Sequence, residues 1–400
     1  MRPFAGRRVL LGVTGGIASY KTTWLARLLH KAGADVDVVL SRSAREFVGA
    51  VTFEALTGRP VHTELVAAGH ALDHITLARD ADAIVVAPAT ADFLARSAHG
   101  NADDLLSAIL LAATAPVLIV PAMNDRMWAH RQTQANVAHC RGLGYTVLDP
   151  DTGDLAAGEG AGPGRMPEPE AVHAHVGRLL ERPSLAGRSV LVTAGPTREP
   201  IDPVRFISNR SSGKMGVAIA ASAWRRGARV TLVHGPLEAA LPIGPRSLAV
   251  ETTAQLRDAV AAELPAADAL VMAAAPADFG AAVPADSKVK KHSGASSLAL
   301  APTPDVLLET RANRRTGAVV VGFALETGDA LANGRSKLSA KGLDAIAVND
   351  AREPGAAFGV DTNRVTMLFA DGREEALPLL SKHEVADVLL DRVEALLDGR

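Results

Sequence analysis

The stretch from Val192 to Gly216 holds the densest set of groups able to do chemistry. A buried-strand pattern at Val190 to Thr193 runs into the Gly195-Pro196 turn. A long loop then carries Arg198, Arg205, Asn209, Arg210 and Lys214, and a helix opens at Ser212-Gly213. Strand, loop and Gly-started helix form the arrangement by which α/β folds offer backbone N–H groups to a phosphate. The loop is longer than a nucleotide-binding turn requires, and loops of this length in a domain are usually functional. Two familiar motifs are excluded. Ser208 stands where a Walker A loop has its first Gly, and Met215 replaces the Ser/Thr that would hold Mg²⁺. Nor is there a G-x-G-x-x-G run.

A second set lies near the start. Leu10 to Lys21 reads as strand, Gly pair (Gly15, Gly16) and helix start at Ile17. Ser41, Pro88 to Asp92 and Pro121 to Asn124 each follow a strand pattern, where open α/β sheets bind ligands. Two Gly amides with the hydroxyls of Ser41 and Thr90 suit a phosphate monoester. No acidic residue stands where a ribose would need one, so FMN fits better than NAD. Taken alone, the Gly pair reads equally as a tight βα turn. Lys288 to Lys291, Lys337 and Lys341 read alone as solvated lysines, and His74, in a strand-like Asp-His-Ile-Thr-Leu run, as a surface histidine.

These groups need elements to hold them. Four hundred residues exceed one ordinary core and imply two domains. Strand patterns fall at 8–13, 35–40, 83–87, 116–120 and 145–149, with helical segments between them. The region 149–169 is rich in Gly, Pro, Asp and Glu, as a linker or a flap would be. After a short helix at 169–181, strands recur at 189–193, 229–233, 269–274, 318–323 and 345–349. A hairpin is expected over Phe358 to Phe369 and an amphipathic helix over 380–398. The boundary is placed between 183 and 184, giving domains 1–183 and 184–400, each an α/β doubly wound sheet. A net charge of −2 gives no reason to expect nucleic acid or an anionic membrane as partner. No segment reads as membrane-spanning or as a signal peptide. One cysteine, Cys140, excludes an intrachain disulfide and a zinc cluster and fits a reducing cytoplasm. It falls in a helical segment and reads as a packed small residue.

Residues 190–216 resemble, almost residue for residue, the signature loop of phosphopantothenate–cysteine ligases. Further matches to that family lie at Ala273 to Asp278, Lys288 to Lys291, Pro304-Asp305-Val306, Val321 to Ala324, Lys337 to Lys341 and Val348 to Asp350. The first half resembles the flavin-dependent cysteine decarboxylases, specifically phosphopantothenoylcysteine decarboxylase. Its matching pieces are Gly12 to Lys21, Asp73 to Leu77, Ala87 to Asp92, Ala102 to Ser107, Pro121 to Trp128 and Gly164 to Pro169.

The resemblance implies a flavodoxin-like flavoprotein domain followed by a Rossmann-like ligase domain with a C-terminal hairpin. It implies a bifunctional enzyme of coenzyme A biosynthesis. CTP with Mg²⁺ would activate 4'-phosphopantothenate as an acyl-cytidylate, L-cysteine would displace CMP, and FMN-dependent decarboxylation would give 4'-phosphopantetheine. In the decarboxylase half it implies His74 as the catalytic histidine and Asn124 at the substrate carboxylate. Met123, Arg165 and Met166 would contact substrate, and Gly15, Gly16, Ile17, Ser41, Thr90 and Ser107 the FMN. In the ligase half it assigns Asn209 to the acyl intermediate and Lys288 to the charge on the cytidylate. Ala273, Asp278, Pro304, Asp305, Val306, Phe323, Lys337 and Lys341 would bind the nucleotide. Metal ligands are not assigned. By analogy, trimeric contacts of the first half and dimeric contacts of the second would build a homo-oligomer as large as a dodecamer.

The chain also departs from the pattern. Ala157 stands where the family has a flap cysteine that protonates the enethiolate. Another donor or water takes that role, or this half is impaired and survives as a scaffold beside a working ligase. Thr303, Pro276 and Leu325 replace the usual Asn, Val and Ala, so CTP over ATP rests on the resemblance. A two-domain nicotinamide reductase is the other rival, and the missing dinucleotide fingerprint counts against it.

Overall fold

Short Val/Leu/Ile-rich strands alternating with amphipathic helices can bury both strand faces only as a parallel sheet between helix layers. The chain forms two such sheets. The computed structural model describes all residues except Met1, Ala67, Ala68, His70, Ala156, Ala157, Glu159, 291–296, Ala351 and 354–358. It divides into two units, Met1–Arg182 and Pro183–Arg400.

In the first unit β1 (Arg8–Val13), β2 (Asp35–Leu40), β3 (Val61–His62), β4 (Ala83–Ala89), β5 (Val117–Pro121) and β6 (Thr146–Val147) pair in the order β3-β2-β1-β4-β5-β6. Every pairing is parallel. Because strand side chains alternate between faces, Val9, Leu11 and Val85 pack with Leu25, Leu29 and Phe53 on one side. Leu10, Ile84 and Ile119 pack with Phe93, Leu106 and Cys140 on the other. Cys140 is fully buried in the Arg131–Gly142 helix, and burial pushes its thiol pKa up, so it is inert packing.

Two expectations for this unit change. His74 lies in the first turn of a helix, Asp73–Asp80, and not in a strand. Leu77 and Ala78, buried on one helix face, carry the true period there. The Gly/Pro-rich region is no linker. Within it β7 (Asp151–Asp154) and β8 (Ala161–Arg165) form an antiparallel hairpin. Ala157 lies outside the described residues.

In the second unit β9 (Ser189–Ala194) heads the signature loop. That loop contains its own antiparallel pair, β10 (Arg198–Pro200) and β11 (Phe206–Ser208). The sheet continues through β12 (Arg229–His234), β13 (Arg246–Ala249) and β14 (Ala269–Met272). A second small pair, β15 (Phe279–Ala281) with β16 (Leu300–Pro302), precedes β17 (Val319–Glu326) and β18 (Ala345–Asp350). After β19 (Thr362–Asn363) come β20 (Thr366–Phe369), β21 (Glu374–Ala376) and β22 (Leu380–Ser381). The main sheet runs β13-β12-β9-β14-β17-β18-β20-β21, parallel as far as β18 and antiparallel beyond it.

The hairpin therefore differs from the one expected over Phe358 to Phe369. Its strands are β20 and β21, turning at Asp371-Gly372, where Gly372 has φ +88°. Asp-Gly is the stronger turn signal because glycine takes a positive φ freely. β19 pairs instead with β22, and Phe358 lies outside the described residues.

The Lys214–Arg225 and Lys382–Asp398 helices are joined by ions as well as by apolar packing. Arg226 is only 3% exposed. Its Nη1 lies 2.7 Å from Glu394 and 2.9 Å from Asp391, and its Nη2 donates to the Asp387 carbonyl at 2.8 Å. The Asp387 carboxylate accepts from Ser222 and Arg225. Burial penalises the Arg226 charge, but these carboxylates outweigh it and raise the pKa. Removing one partner of a buried ionic network leaves charge uncompensated. Asp387→Ala should cost about 3 kcal/mol, read as a fall of about a hundredfold in hydrogen-exchange protection of the Lys382–Asp398 helix.

Candidate functional site

In a doubly wound sheet the loops leaving the carboxyl ends of the strands meet where the strand order reverses. In the first unit that point lies between β1 and β4. Thr14 Oγ1 donates to Pro88 O at 2.8 Å and accepts from Thr90 N at 3.0 Å, locking the two loops together. A Cβ on Gly15 would stand 2.3 Å from Ser43 Cβ, so only glycine lets the β2 loop close in. A Cβ on Gly16 would meet nothing within 4 Å. Gly16 thus borders open space beside an exposed Ile17. The Ser41 hydroxyl accepts from Ala44 N, and the Thr90 hydroxyl caps the Ala91–His99 helix through Phe93 N.

Ser107 behaves differently from a free hydroxyl donor. It is buried and committed to a capping box with Asp104, its Oγ lying 2.7 Å from Asp104 Oδ1. Asn124 caps the Asp125–Ala129 turn by accepting from Arg126 N at 2.9 Å. The β7–β8 hairpin docks there, with Met123 N donating to Gly164 O at 3.0 Å. A Cβ on Gly164 would lie 2.2 Å from Met123 O, so the close approach requires glycine. This docking places Arg165 in the same part of the fold as Asn124, with its guanidinium on Glu168 at 2.5 Å. Met166 points its side chain into the core instead, and its carbonyl accepts from buried Lys21 at 2.8 Å.

His74 is partly buried. Its Nδ1 is shielded from solvent and has no hydrogen-bond partner among the described residues. The residue before it, Asp73, lies 3.3 Å from His62 Nδ1, which ties the start of the helix to the edge strand β3.

In the second unit the carboxyl ends of β9, β14, β17 and β18 surround a cavity of about 470 Å³. It brings together Asn209, Ala273, Asp278, Pro304, Asp305, Val306, Phe323, Lys337 and Lys341. Asn209 Nδ2 donates to the carbonyls of Ala275 (3.1 Å) and Pro276 (2.9 Å), joining the signature loop to the loop after β14. Lys337 and Lys341 sit one turn apart at the end of the Ala330–Ala340 helix. Lys337 pairs with Glu326 at 2.7 Å and Lys341 with Asp305 at 2.9 Å. The Asp305 carboxylate also caps the short helix that begins at Val306.

Lys288 is not among the cavity-lining residues and is exposed on the loop after β15. That loop is clamped to the signature loop. Arg205 Nη2 donates to Val289 O at 2.9 Å, and Asp202 Oδ2 accepts from Val289 N at 3.2 Å. The Arg205 guanidinium and three backbone N–H groups hold the Asp202 carboxyl far below the usual carboxylate range. Lys291 lies outside the described residues.

The cavity also includes residues to which sequence reading gave no role: Ser212, Lys214, Asn349, Asn363 and Lys382. Lys214 and Asn349 lie inside recognised motifs. Asn363 and Lys382 come from the antiparallel end of the sheet, and no local pattern marks them.

Two family models divide the chain. Residues 2–181 match the model described as Flavoprotein, and residues 185–397 match the DNA/pantothenate metabolism flavoprotein C-terminal domain. The coenzyme A biosynthesis bifunctional protein CoaBC of Mycolicibacterium smegmatis is 47% identical over 412 residues, covering 99% of each chain. The Bacillus subtilis protein of the same name is 43% identical over 397 residues, covering 98% of this chain and 97% of its own. Among solved structures, the C-terminal domain of a CoaBC protein is 35% identical, with a TM-score of 0.46. It covers 54% of this chain and 99% of that one. With identity of this order along nearly its whole length, the chain belongs to the family of bifunctional coenzyme A biosynthesis proteins, a flavoprotein decarboxylase in its first half and a ligase in its second.

Proposed function

We propose that the Pro183–Arg400 unit joins 4'-phosphopantothenate to L-cysteine at the expense of CTP and Mg²⁺, and that the Met1–Arg182 unit decarboxylates the product to 4'-phosphopantetheine with FMN. The observation that carries this reading is the single cavity in which Asn209, Asp278, Asp305, Phe323, Lys337 and Lys341 converge from separate strands. A carboxylate becomes reactive toward an amine only as an activated acyl species, and forming one brings several negative charges together. Asn209, held by two carbonyls, places an amide at the junction of two loops, where the acyl group would lie. Phe323 offers an aromatic face to a base, and Lys341 with Asp305 gives a donor–acceptor pair for its edge or for the ribose. We assign Lys288, exposed on the clamped loop and outside the cavity lining, to the charge on the cytidylate.

The first unit fits FMN in its residues. Open space beside Gly16, a helix start and the hydroxyls of Ser41 and Thr90 make a phosphate cradle at the strand ends. When bound, FMN supplies the two-electron chemistry that an unactivated carboxylate needs before it can lose CO₂. The protein orients and protonates. His74 is assigned the thiol proton, a general-base role that an imidazole suits. Asn124 and Arg165 supply the amide and the cation for the substrate carboxylate. Ser107 serves the FMN site by shaping the Asp104 turn, to which its hydroxyl is bonded. We place trimeric contacts in the first unit and dimeric contacts in the second.

Mass spectrometry of products tests the reading. Incubation with phosphopantothenate, cysteine, CTP and Mg²⁺ should yield CMP and phosphopantetheine. His74→Asn should stop at phosphopantothenoylcysteine, with decarboxylation slowed by about a hundredfold or more. Accumulation of that intermediate by the wild type would instead mark the first unit as a scaffold. Formation of neither product by flavin-loaded protein would overturn the reading.

The clamp on the Lys288 loop gives a second test. A carboxyl whose folded pKa is depressed stabilises above its unfolded value, and that contribution is lost as pH falls through the folded value. The Asp202 clamp should therefore persist across the neutral and mildly acidic range. Asp202→Asn should remove it at every pH. Hydrogen exchange at Val289 should quicken by about tenfold, and ligase kcat should fall while the fold is retained.

A further inference from the structure

The charges around the ligase cavity are unevenly balanced. Two of its lysines are neutralised, Lys337 by Glu326 and Lys341 by Asp305, and Asp278 adds a further negative charge. Lys214 and Lys382 also line the cavity, with Asn363, and both reach one segment of the chain: Lys214 donates to Gly359 O and Asp361, and Lys382 to Val360 O. Lys382 is only 8% exposed, and its Nζ donates to Val360 O at 2.5 Å. Among the described residues it forms no ion pair. Lys214 pairs at 2.7 Å with Asp361, whose side chain is 87% exposed. An ion pair with so exposed a carboxylate is weak and screened, and a better anion displaces it. Burial lowers the Lys382 pKa and the charge of Lys214 lowers it further, against a smaller opposing pull from the Asp361 carboxylate. An arriving anion would relieve both penalties.

We propose that Lys214 and Lys382 form a phosphate subsite where they meet in this cavity, which takes a phosphate ester carried by one of the ligase substrates and so orients the ligand in the pocket. Two lysines without a matched buried carboxylate suit a dianion, which each can contact through a charge-assisted hydrogen bond. Asp361 acts as the resident placeholder on Lys214. The inference rests on the ligase reading. The shared chemistry has two sources, the polyphosphate of the nucleotide and the phosphate monoester of phosphopantothenate.

Calorimetry with the full chain separates them. CTP and phosphopantothenate are titrated singly, with cytidine and unphosphorylated pantothenate as controls. Lys214→Gln and Lys382→Met should each weaken one phosphate ligand by about tenfold or more, leaving the control ligands and the KM for cysteine unchanged. The ligand affected names the source. Asp361→Asn should tighten the same ligand by about two- to threefold, a gain that a merely structural role would not produce. Should Lys382→Met fail to fold, the Lys214 and Asp361 variants decide alone. Wild-type binding that these variants leave unchanged would overturn the subsite and spare the ligase reading. A wild type that binds neither phosphate ligand would overturn both.

Discussion

Parallel strands all finish at the same edge of a sheet, and both units depend on that constraint. Antiparallel strands would scatter their loops between two edges. Parallel ones deliver the loops after β1, β2, β4 and β5 to one edge of the first unit. The loops after β9, β14, β17 and β18 reach one edge of the second in the same way. The cores stacked on either face hold those ends rigid. Chemistry is then a matter of how closely neighbouring loops can approach. Glycine sets the limit: a Cβ on Gly216 would stand 2.6 Å from Thr193 O, and the Lys214–Arg225 helix could not start where it does.

The two units use polar groups in different ways. Much of the hydrogen bonding in the first braces one loop against another, as with Thr14 on the β4 loop and Lys21 on the carbonyl of Met166. Hydroxyls that look available in a list of residues are partly committed, and Ser107 is the plainest case. The second unit surrounds its cavity with ion pairs of graded exposure. Its architecture is held elsewhere, by the buried Arg226 network.

Legibility in the sequence followed the range of the interactions. The inner strands of both parallel sheets were readable because each is a short apolar run fixed by its own burial, whereas the edge strands β3 and β13, short and without a buried residue, were missed. The convergence of Asp278, Asp305, Phe323 and Lys341 was readable only through family motifs, since nothing local in Lys337 to Lys341 separates a cavity-lining lysine from a solvated one. His74 was misplaced on a strand because five residues are too few to distinguish the two periods. The hairpin was misplaced because Asp361 to Asn363 resembles a turn in composition, whereas Asp371-Gly372 makes the actual one. Lys382 and Asn363 stayed invisible because their position is set by antiparallel pairing far along the chain.

That remoteness has a kinetic consequence. One wall of the cavity in the second unit comes from Asn209 and residues 211–215 and another from Asn363 and Lys382, so the enclosure forms only after a very long loop has closed. Contacts of such sequence separation are made late, once the intervening strands have ordered. During refolding the β9–β14 core should gain protection well before the cavity exists. Closure of the cavity should therefore be the final step of folding in this half.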